Sequence, residues 1–140
     1  MRIITVVVLS ISVVAVGCIH GGRTEAGASA SAQAAEVDLA AALAGRTAGP
    51  PQRCVNEVAL AGGRSYGRDA ILFGVPTDDV VYVNRPPAGC PELSTTRALR
   101  TRTPTTQLCR GDIVVVFDPG TGIELGSCSL GEFTPYRRIR

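Results

Sequence analysis

The stretch DAILFGVPTDDVVYVN, residues 69–84, contains two runs rich in β-branched and aromatic residues on either side of a short polar segment. The runs are residues 69–75 and 80–84, and Pro76-Thr77-Asp78-Asp79 lies between them. Proline and aspartate suit tight turns, because proline presets φ and aspartate hydrogen-bonds to the local backbone. The stretch therefore predicts a β-hairpin.

The same pattern returns toward the carboxyl terminus. DIVVVFDPGTGIELGSC, residues 112–128, has two β-rich runs around the turn residues 118–122, and residues 55–61 predict an earlier strand closed by Gly62-Gly63. About five to six short strands without a convincing helix indicate an all-β domain over residues 52–140. We expect a small, disulfide-stapled antiparallel sheet, sandwich or open barrel.

The chain before this domain changes in character. Residues 1–17 place Arg2 ahead of a short apolar run, which is typical of a signal peptide and too short to span a bilayer comfortably. Residues 18–51 are rich in Ala, Gly and Ser, and they predict a flexible tether. A helical turn or two is compatible with residues 34–44, but a short isolated Ala-rich helix is marginal in water.

Ala15-Val16-Gly17 precedes Cys18, an order that resembles the bacterial lipobox. The resemblance implies that Cys18 is lipidated and becomes the mature amino terminus. Leu is favoured where Ala15 stands, and ordinary signal peptidase accepts Ala15 and Gly17 as well. A soluble periplasmic protein is therefore the alternative.

Five cysteines are an awkward number for an exported protein, because one thiol is left over in an oxidising compartment. Acylation of Cys18 removes it from the count. The remaining four, Cys54, Cys90, Cys109 and Cys128, predict two disulfides with three alternative pairings. We favour Cys90–Cys109, which closes the Arg-rich segment between them at its base, and Cys54–Cys128, which joins the first strand to the last.

The cysteine blocks of the domain resemble a family of small exported proteobacterial proteins that is catalogued as a domain of unknown function. The resemblance rests on blocks that stand in a fixed order over most of residues 54–136: Cys54, Asp69-Ala70-Ile71-Leu72-Phe73, Tyr82-Val83-Asn84-Arg85, Cys90-Pro91-Glu92-Leu93, Leu108-Cys109-Arg110-Gly111-Asp112-Ile113 and Cys128-Ser129-Leu130-Gly131-Glu132-Phe133. The family often has glycine where this chain has Glu92. The resemblance implies an exported, disulfide-containing β domain and supplies no activity.

Catalytic and metal sites are poorly represented in this sequence. The single histidine, His20, lies in the expected tether, so the domain has no histidine to activate a nucleophile, and no cysteines are spaced as C-x-x-C. Asp78 and Asp79 sit in the predicted turn, and Asp112 is expected to bond to the neighbouring backbone. We assign no catalytic residue, metal or cofactor.

Three arginines between Cys90 and Cys109 are the candidate contact residues. Arg97, Arg100 and Arg102 stand among many hydroxyl side chains, and they could bind phosphate or carboxylate groups of an anionic envelope component or a protein partner. A solvated loop is the competing interpretation. The formal net charge is only +2, and nucleic acid is not an expected partner in this compartment.

These observations predict a lipoprotein of the bacterial cell envelope, anchored in a membrane through Cys18 and acting as a non-catalytic binding or structural module. Ile19 after Cys18, where Asp is absent, resembles the outer-membrane sorting pattern of enteric bacteria, which implies the outer membrane over the inner membrane. The alternative is an enzyme, or an enzyme accessory, that uses carboxylates and arginines on envelope polysaccharide or phosphate groups. Two carboxylates with raised pKa values in a concave site would favour the enzyme.

Overall fold

The computed structural model describes residues 22–56, 60 and 62–140. Within them the chain forms one helix and ten short strands. The elements are α1 (Gly22–Ala42), β1 (Arg46–Ala48), β2 (Cys54–Asn56), β3 (Gly63–Tyr66), β4 (Ala70–Phe73), β5 (Val80–Asn84), β6 (Ala98–Arg102), β7 (Gln107–Cys109), β8 (Ile113–Phe117), β9 (Glu124–Ser129) and β10 (Phe133–Arg138).

The strands form three antiparallel sheets. A five-stranded sheet has the order β1-β10-β5-β4-β3, a three-stranded sheet has the order β6-β8-β9, and β2 pairs with β7. The all-β fold class is therefore confirmed, whereas the expected number of about five to six strands is too low, since the described residues form ten. Both predicted hairpins are present, because β4 pairs with β5 and β8 pairs with β9.

One core joins the three sheets. It contains Phe73 of β4, Leu108 of β7, Val114 of β8 and Phe133 of β10, all nearly inaccessible to solvent. The rings of Phe73 and Phe133 lie with their centroids 5.7 Å apart. With few aromatic residues in the chain, this pair supplies much of the large apolar surface at the centre.

Strand β4 is buried on both faces, which explains its continuous apolar sequence. Ile71 and Phe73 face the core between the sheets, whereas Ala70 and Leu72 belong to a second apolar cluster on the opposite face. Helix α1 covers that second cluster through Leu39, which is only 2 % exposed. The five-stranded sheet thus lies between a helix and the other sheets.

The expectation of a flexible tether over residues 18–51 is wrong for the part that the structure describes. Residues 22–42 are helical, and Leu39, Ala42 and Leu43 pack on the sheet. The isolated helix would be marginal, but burial of Leu39 supplies the tertiary contact that it needs. Gly45, with φ of 73°, then ends the helical segment in the left-handed conformation that glycine adopts readily.

Strand β1 extends the folded domain further toward the amino terminus than residue 52. It pairs with β10, with Thr47 opposite Arg137. The Arg46 guanidinium donates to the backbone carbonyls of Pro76, at 3.0 Å, and Asp78, at 2.8 Å. The segment that follows the helix is therefore tied to the turn of the first hairpin.

Asn84 at the end of β5 fixes the approach of a neighbouring loop. Its side chain is fully buried, donating to the carbonyl of Gly131 at 2.8 Å and accepting from the Gly131 N–H at 2.9 Å. Gly131 has no space for a side chain, because a Cβ there would lie 2.2 Å from the Arg85 carbonyl oxygen. This pair holds the β9–β10 connection against β5.

A membrane-crossing helix needs both length and an apolar sequence, and no helix within residues 22–56, 60 and 62–140 combines the two.

Candidate functional site

The disulfides differ from the expected pairing. The structure joins Cys54 to Cys109 and Cys90 to Cys128, so the pairing of Cys90 with Cys109 and of Cys54 with Cys128 is wrong. The reason is strand β7, which the sequence did not suggest. It pairs with β2 and places Cys109 directly opposite Cys54.

The two disulfides lie in different environments. Cys90 and Cys128 are 1 % and 9 % exposed and belong to the main core, whereas Cys54 and Cys109 are half-buried on the β2–β7 ribbon. Disulfides persist in oxidising compartments. Both bonds therefore indicate a protein that matures outside the reducing cytoplasm.

The candidate arginines all lie on or next to β6, but each already contacts a carboxylate. Arg100 and Arg102 share Glu124 of β9, with nitrogen–oxygen distances of 3.7 and 2.8 Å. Arg97 pairs with Asp118 after β8. Residues 98–102 are thus a strand of the three-stranded sheet, and not the loop that we considered as the competing interpretation. Anion binding by Arg97, Arg100 and Arg102 stays a prediction.

Arg100 also makes an aromatic contact. Its guanidinium carbon lies 4.9 Å from the centroid of the Phe117 ring, a cation–π distance. The ion pairs of this face are solvent-exposed, with Arg100 and Arg102 more than half exposed. Exposed ion pairs contribute little stability. An incoming anion would therefore compete with Glu124 at a small energetic cost.

Asp118 caps the turn of the second hairpin. Its carboxylate accepts from the backbone N–H groups of Gly120 and Thr121, both at 3.0 Å. The Thr121 N–H is the main cause of a lowered pKa of Asp118, to which the Gly120 N–H and the Arg97 charge add. A lowered pKa is the opposite of what a general acid needs.

Two of the carboxylates that we weighed for catalysis serve the backbone. Asp78 accepts from the Val75 N–H at 2.8 Å, and Asp112 accepts from the Cys109 N–H at 2.7 Å. Both are turn-stabilising aspartates, although we expected the backbone of Arg110-Gly111, and not the Cys109 N–H, to be the partner of Asp112. Among the residues described, no three His, Cys, Asp or Glu side chains are close enough together to hold a metal ion.

A broad cleft lies between helix α1 and strand β3, and we call it the α1–β3 groove. Its volume is about 1100 Å³. It is lined by the helix from Gly27 to Ala42, by Arg64, Tyr66 and Arg68, and by the segment 93–95. Sequence reasoning missed this groove because it treated residues 18–51 as a tether.

Most groove residues of the helix are small. Gly27, Ala28, Ser31, Ala32 and Ala35 recur at spacings of three to four residues and present a shallow wall. The polar groups come from both sides. They are Ser31, Asp38, Arg64, Arg68, Asp69, Ser94 and Thr95.

The arginines of the groove differ from those on β6. Within the described chain, neither Arg64 nor Arg68 has a carboxylate oxygen within 4.0 Å of its guanidinium nitrogens. Arg64 lies over the Tyr66 ring, 5.7 Å from its centroid. Both side chains are exposed to solvent, so their donors are open to a ligand.

A bidentate ion pair fixes the helix beside the groove. Arg85 donates to the two carboxylate oxygens of Glu36 at 2.7 and 2.9 Å. The hydrogen bonds from Arg85, with its charge as a smaller cause, lower the pKa of Glu36, and the same contact raises the pKa of Arg85. Glu36 and Leu39 together position the helical wall.

Several sequence-based candidates lie outside the described residues. These are the signal peptide, the lipidation site Cys18 and the placement of His20 in the tether. Their assignments stay predictions.

No protein-family model, curated protein or solved structure matches this chain.

Proposed function

We propose that this protein is a lipoprotein of the bacterial cell envelope that acts as a non-catalytic binding module. The cysteine inventory carries the proposal. Four of the five cysteines bond to one another in two pairs, so Cys18 has no cysteine of its own chain left to bond with. Acylation of Cys18 would explain how a cysteine without a disulfide partner is accommodated in an oxidising compartment.

The sequence around Cys18 supports the same proposal. An apolar run and Ala15-Val16-Gly17 precede the cysteine, as in a lipoprotein signal peptide. Ile19 favours the outer membrane, and the ordered cysteine blocks favour membership of the exported family named above. A soluble periplasmic protein is the alternative outcome.

The non-catalytic part of the proposal is supported by how the carboxylates are used. Asp78, Asp112 and Asp118 accept backbone hydrogen bonds in turns, and Glu36 and Glu124 pair with arginines. The enzyme alternative requires two carboxylates free to exchange protons in one concave site. Asp38 and Asp69 of the α1–β3 groove are the pair to replace in testing it.

The anchor is tested with Cys18→Ser in the bacterial cell. We expect the wild-type chain to incorporate a labelled fatty acid and to sediment with membranes, and the variant to do neither. Ser29→Ala, an exposed helical position, is the matched control and should behave as wild type. Membrane association that survives in Cys18→Ser would overturn the lipoprotein proposal, and unlabelled wild type cleaved before Cys18 would favour the soluble protein.

A further inference from the structure

We propose that the α1–β3 groove binds an acidic oligosaccharide, with Arg64 and Arg68 taking its carboxylate groups. The inference deepens the proposed function and rests on it only in treating the protein as a binding module. It concerns a different surface from the ion-paired arginines of β6.

The dimensions of the groove favour an elongated ligand. Its helical wall runs from Gly27 to Ala42, a length of about 22 Å at 1.5 Å per residue. A volume of about 1100 Å³ exceeds what a single small molecule usually needs. The small side chains of the helix let a chain of sugar rings approach the backbone closely.

The charges favour a ligand with carboxylates. Arg64 and Arg68 line the groove together with Asp38 and Asp69, and among the described residues neither arginine has a carboxylate oxygen within 4.0 Å of its guanidinium nitrogens. Planar guanidinium groups bind carboxylates through two parallel hydrogen bonds. An anionic ligand would supply the acceptors that these donors lack.

The remaining polar groups favour a sugar. Ser31, Ser94 and Thr95 offer hydroxyl groups, and Asp38 and Asp69 are acceptors for the hydroxyl groups of a ligand. The groove thus offers hydroxyl groups together with positive and negative charges. A uronic acid chain, which carries both hydroxyl and carboxylate groups, matches this mixture better than a uniformly acidic peptide does.

The test is a calorimetric titration of the purified full chain with oligogalacturonate and with oligomannuronate. We expect saturable binding of at least one of them and weaker binding of its methyl-esterified form. Arg64→Gln and Arg68→Gln should each weaken binding about tenfold, because each removes a charge-assisted pair of hydrogen bonds. Arg137→Gln, an exposed arginine of β10 outside the groove, is the matched control and should bind as wild type.

A second variant tests the location. Ser31→Trp places a large ring in the groove from an exposed helical position, and it should abolish binding without loss of thermal stability. The proposal is overturned if neither uronate binds, or if Arg137→Gln weakens binding as much as Arg64→Gln does. It is also overturned if oligoglutamate binds as tightly as the uronates and the variants weaken its binding in the same way. The titration does not depend on the membrane anchor. An absence of binding therefore counts against the groove proposal, and an absence of fatty-acid labelling counts against the lipoprotein proposal.

Discussion

At the scale of single residues, Asn84 and Gly131 show how a polar side chain can be required in a core. Asn84 satisfies both backbone groups of Gly131, and Gly131 has no room for a Cβ beside the Arg85 carbonyl. A buried amide that satisfies its partners is stabilising, whereas a buried backbone group left unpaired costs about 1–3 kcal/mol.

Gly131→Ala should therefore lower the free energy of unfolding by about 2–5 kcal/mol, since the methyl group displaces the backbone and disturbs the two hydrogen bonds to Asn84. Gly27→Ala is the matched control. Nothing lies within 4 Å of a Cβ at that helical position, so alanine should stabilise the protein by about 0.5–1 kcal/mol. Urea unfolding followed by circular dichroism measures both, and equal effects of the two variants would contradict the packing at Gly131.

Leu39 holds helix α1 on the sheet. Leu39→Ala should cost about 2–5 kcal/mol, because the side chain is 2 % exposed and its removal leaves a cavity above β4 and β5. Val37, two residues earlier in the same helix, is 69 % exposed. Val37→Ala should change the free energy of unfolding by less than about 0.5 kcal/mol. Similar losses from both would show that the helix is not docked through Leu39.

At the scale of elements, docking of helix α1 should depend on pH through Glu36. The folded-state pKa of Glu36 lies below its ordinary value of 4.5, so its contribution is fully present above that value and is lost as pH falls through the folded pKa. Both side chains of the pair are about half exposed, so solvent screening limits the contribution to less than about 1 kcal/mol.

The chemical shifts of the Leu39 methyl groups should therefore change only slightly between neutral pH and acid, because a loss of less than about 1 kcal/mol leaves the buried leucine docked. Glu36→Gln should lose this acid dependence. Glu124→Gln, which removes the two ion pairs between β9 and β6, should retain it. An unchanged acid response in Glu36→Gln would assign the transition to another group.

Some elements were predictable from the sequence and others were not. The hairpins β4–β5 and β8–β9 carry strong local signals, because each places β-branched runs around turn residues. Strand β7 has only three residues, and β10 contains Pro135, which argues against a strand interior. Helix α1 has little amphipathic pattern, and composition alone does not single out Leu39 as its buried residue.

The candidate site was likewise predictable from the sequence only in part. The sequence indicated that arginines and hydroxyl groups are available, because those are properties of composition. It did not indicate that Arg100 and Arg102 share Glu124, or that Arg64 and Arg68 face helix α1 across a groove. Both facts depend on how distant strands pair, and a single sequence carries little information about that.

At the scale of the whole molecule, the two disulfides differ in accessibility. A mild reductant with an alkylating agent should label Cys54 and Cys109 first, because they are half-buried on a two-stranded ribbon. Cys90 and Cys128 should react only on global unfolding, since they lie in the core. Non-reducing peptide mapping should find the linked peptides Cys54–Cys109 and Cys90–Cys128, and any Cys90–Cys109 peptide in the native protein would contradict the structure.

Both bonds should contribute strongly to stability. They join residues 55 and 38 positions apart, which corresponds to about 4 kcal/mol each in the chain-entropy estimate. A domain of this size has a total stability of about 5–15 kcal/mol. Full reduction should therefore unfold the protein or come close to it.

The order of the pairing has a consequence for biogenesis. The bonds interleave, since each cysteine bonds to the next but one along the chain. In a chain that is threaded out of the cytoplasm from its amino terminus, Cys54 and Cys90 are the first of the four disulfide-forming cysteines to emerge. An oxidase that acts on thiols as they appear would join those two, and the native bonds would then form only by thiol–disulfide exchange.

Cells without a disulfide isomerase should accumulate a Cys54–Cys90 species, detectable by peptide mapping. An unchanged yield of native protein in those cells would mean that folding precedes oxidation. Because the bonds interleave, the abundance of this protein should depend on the disulfide isomerase activity of the compartment in which it folds.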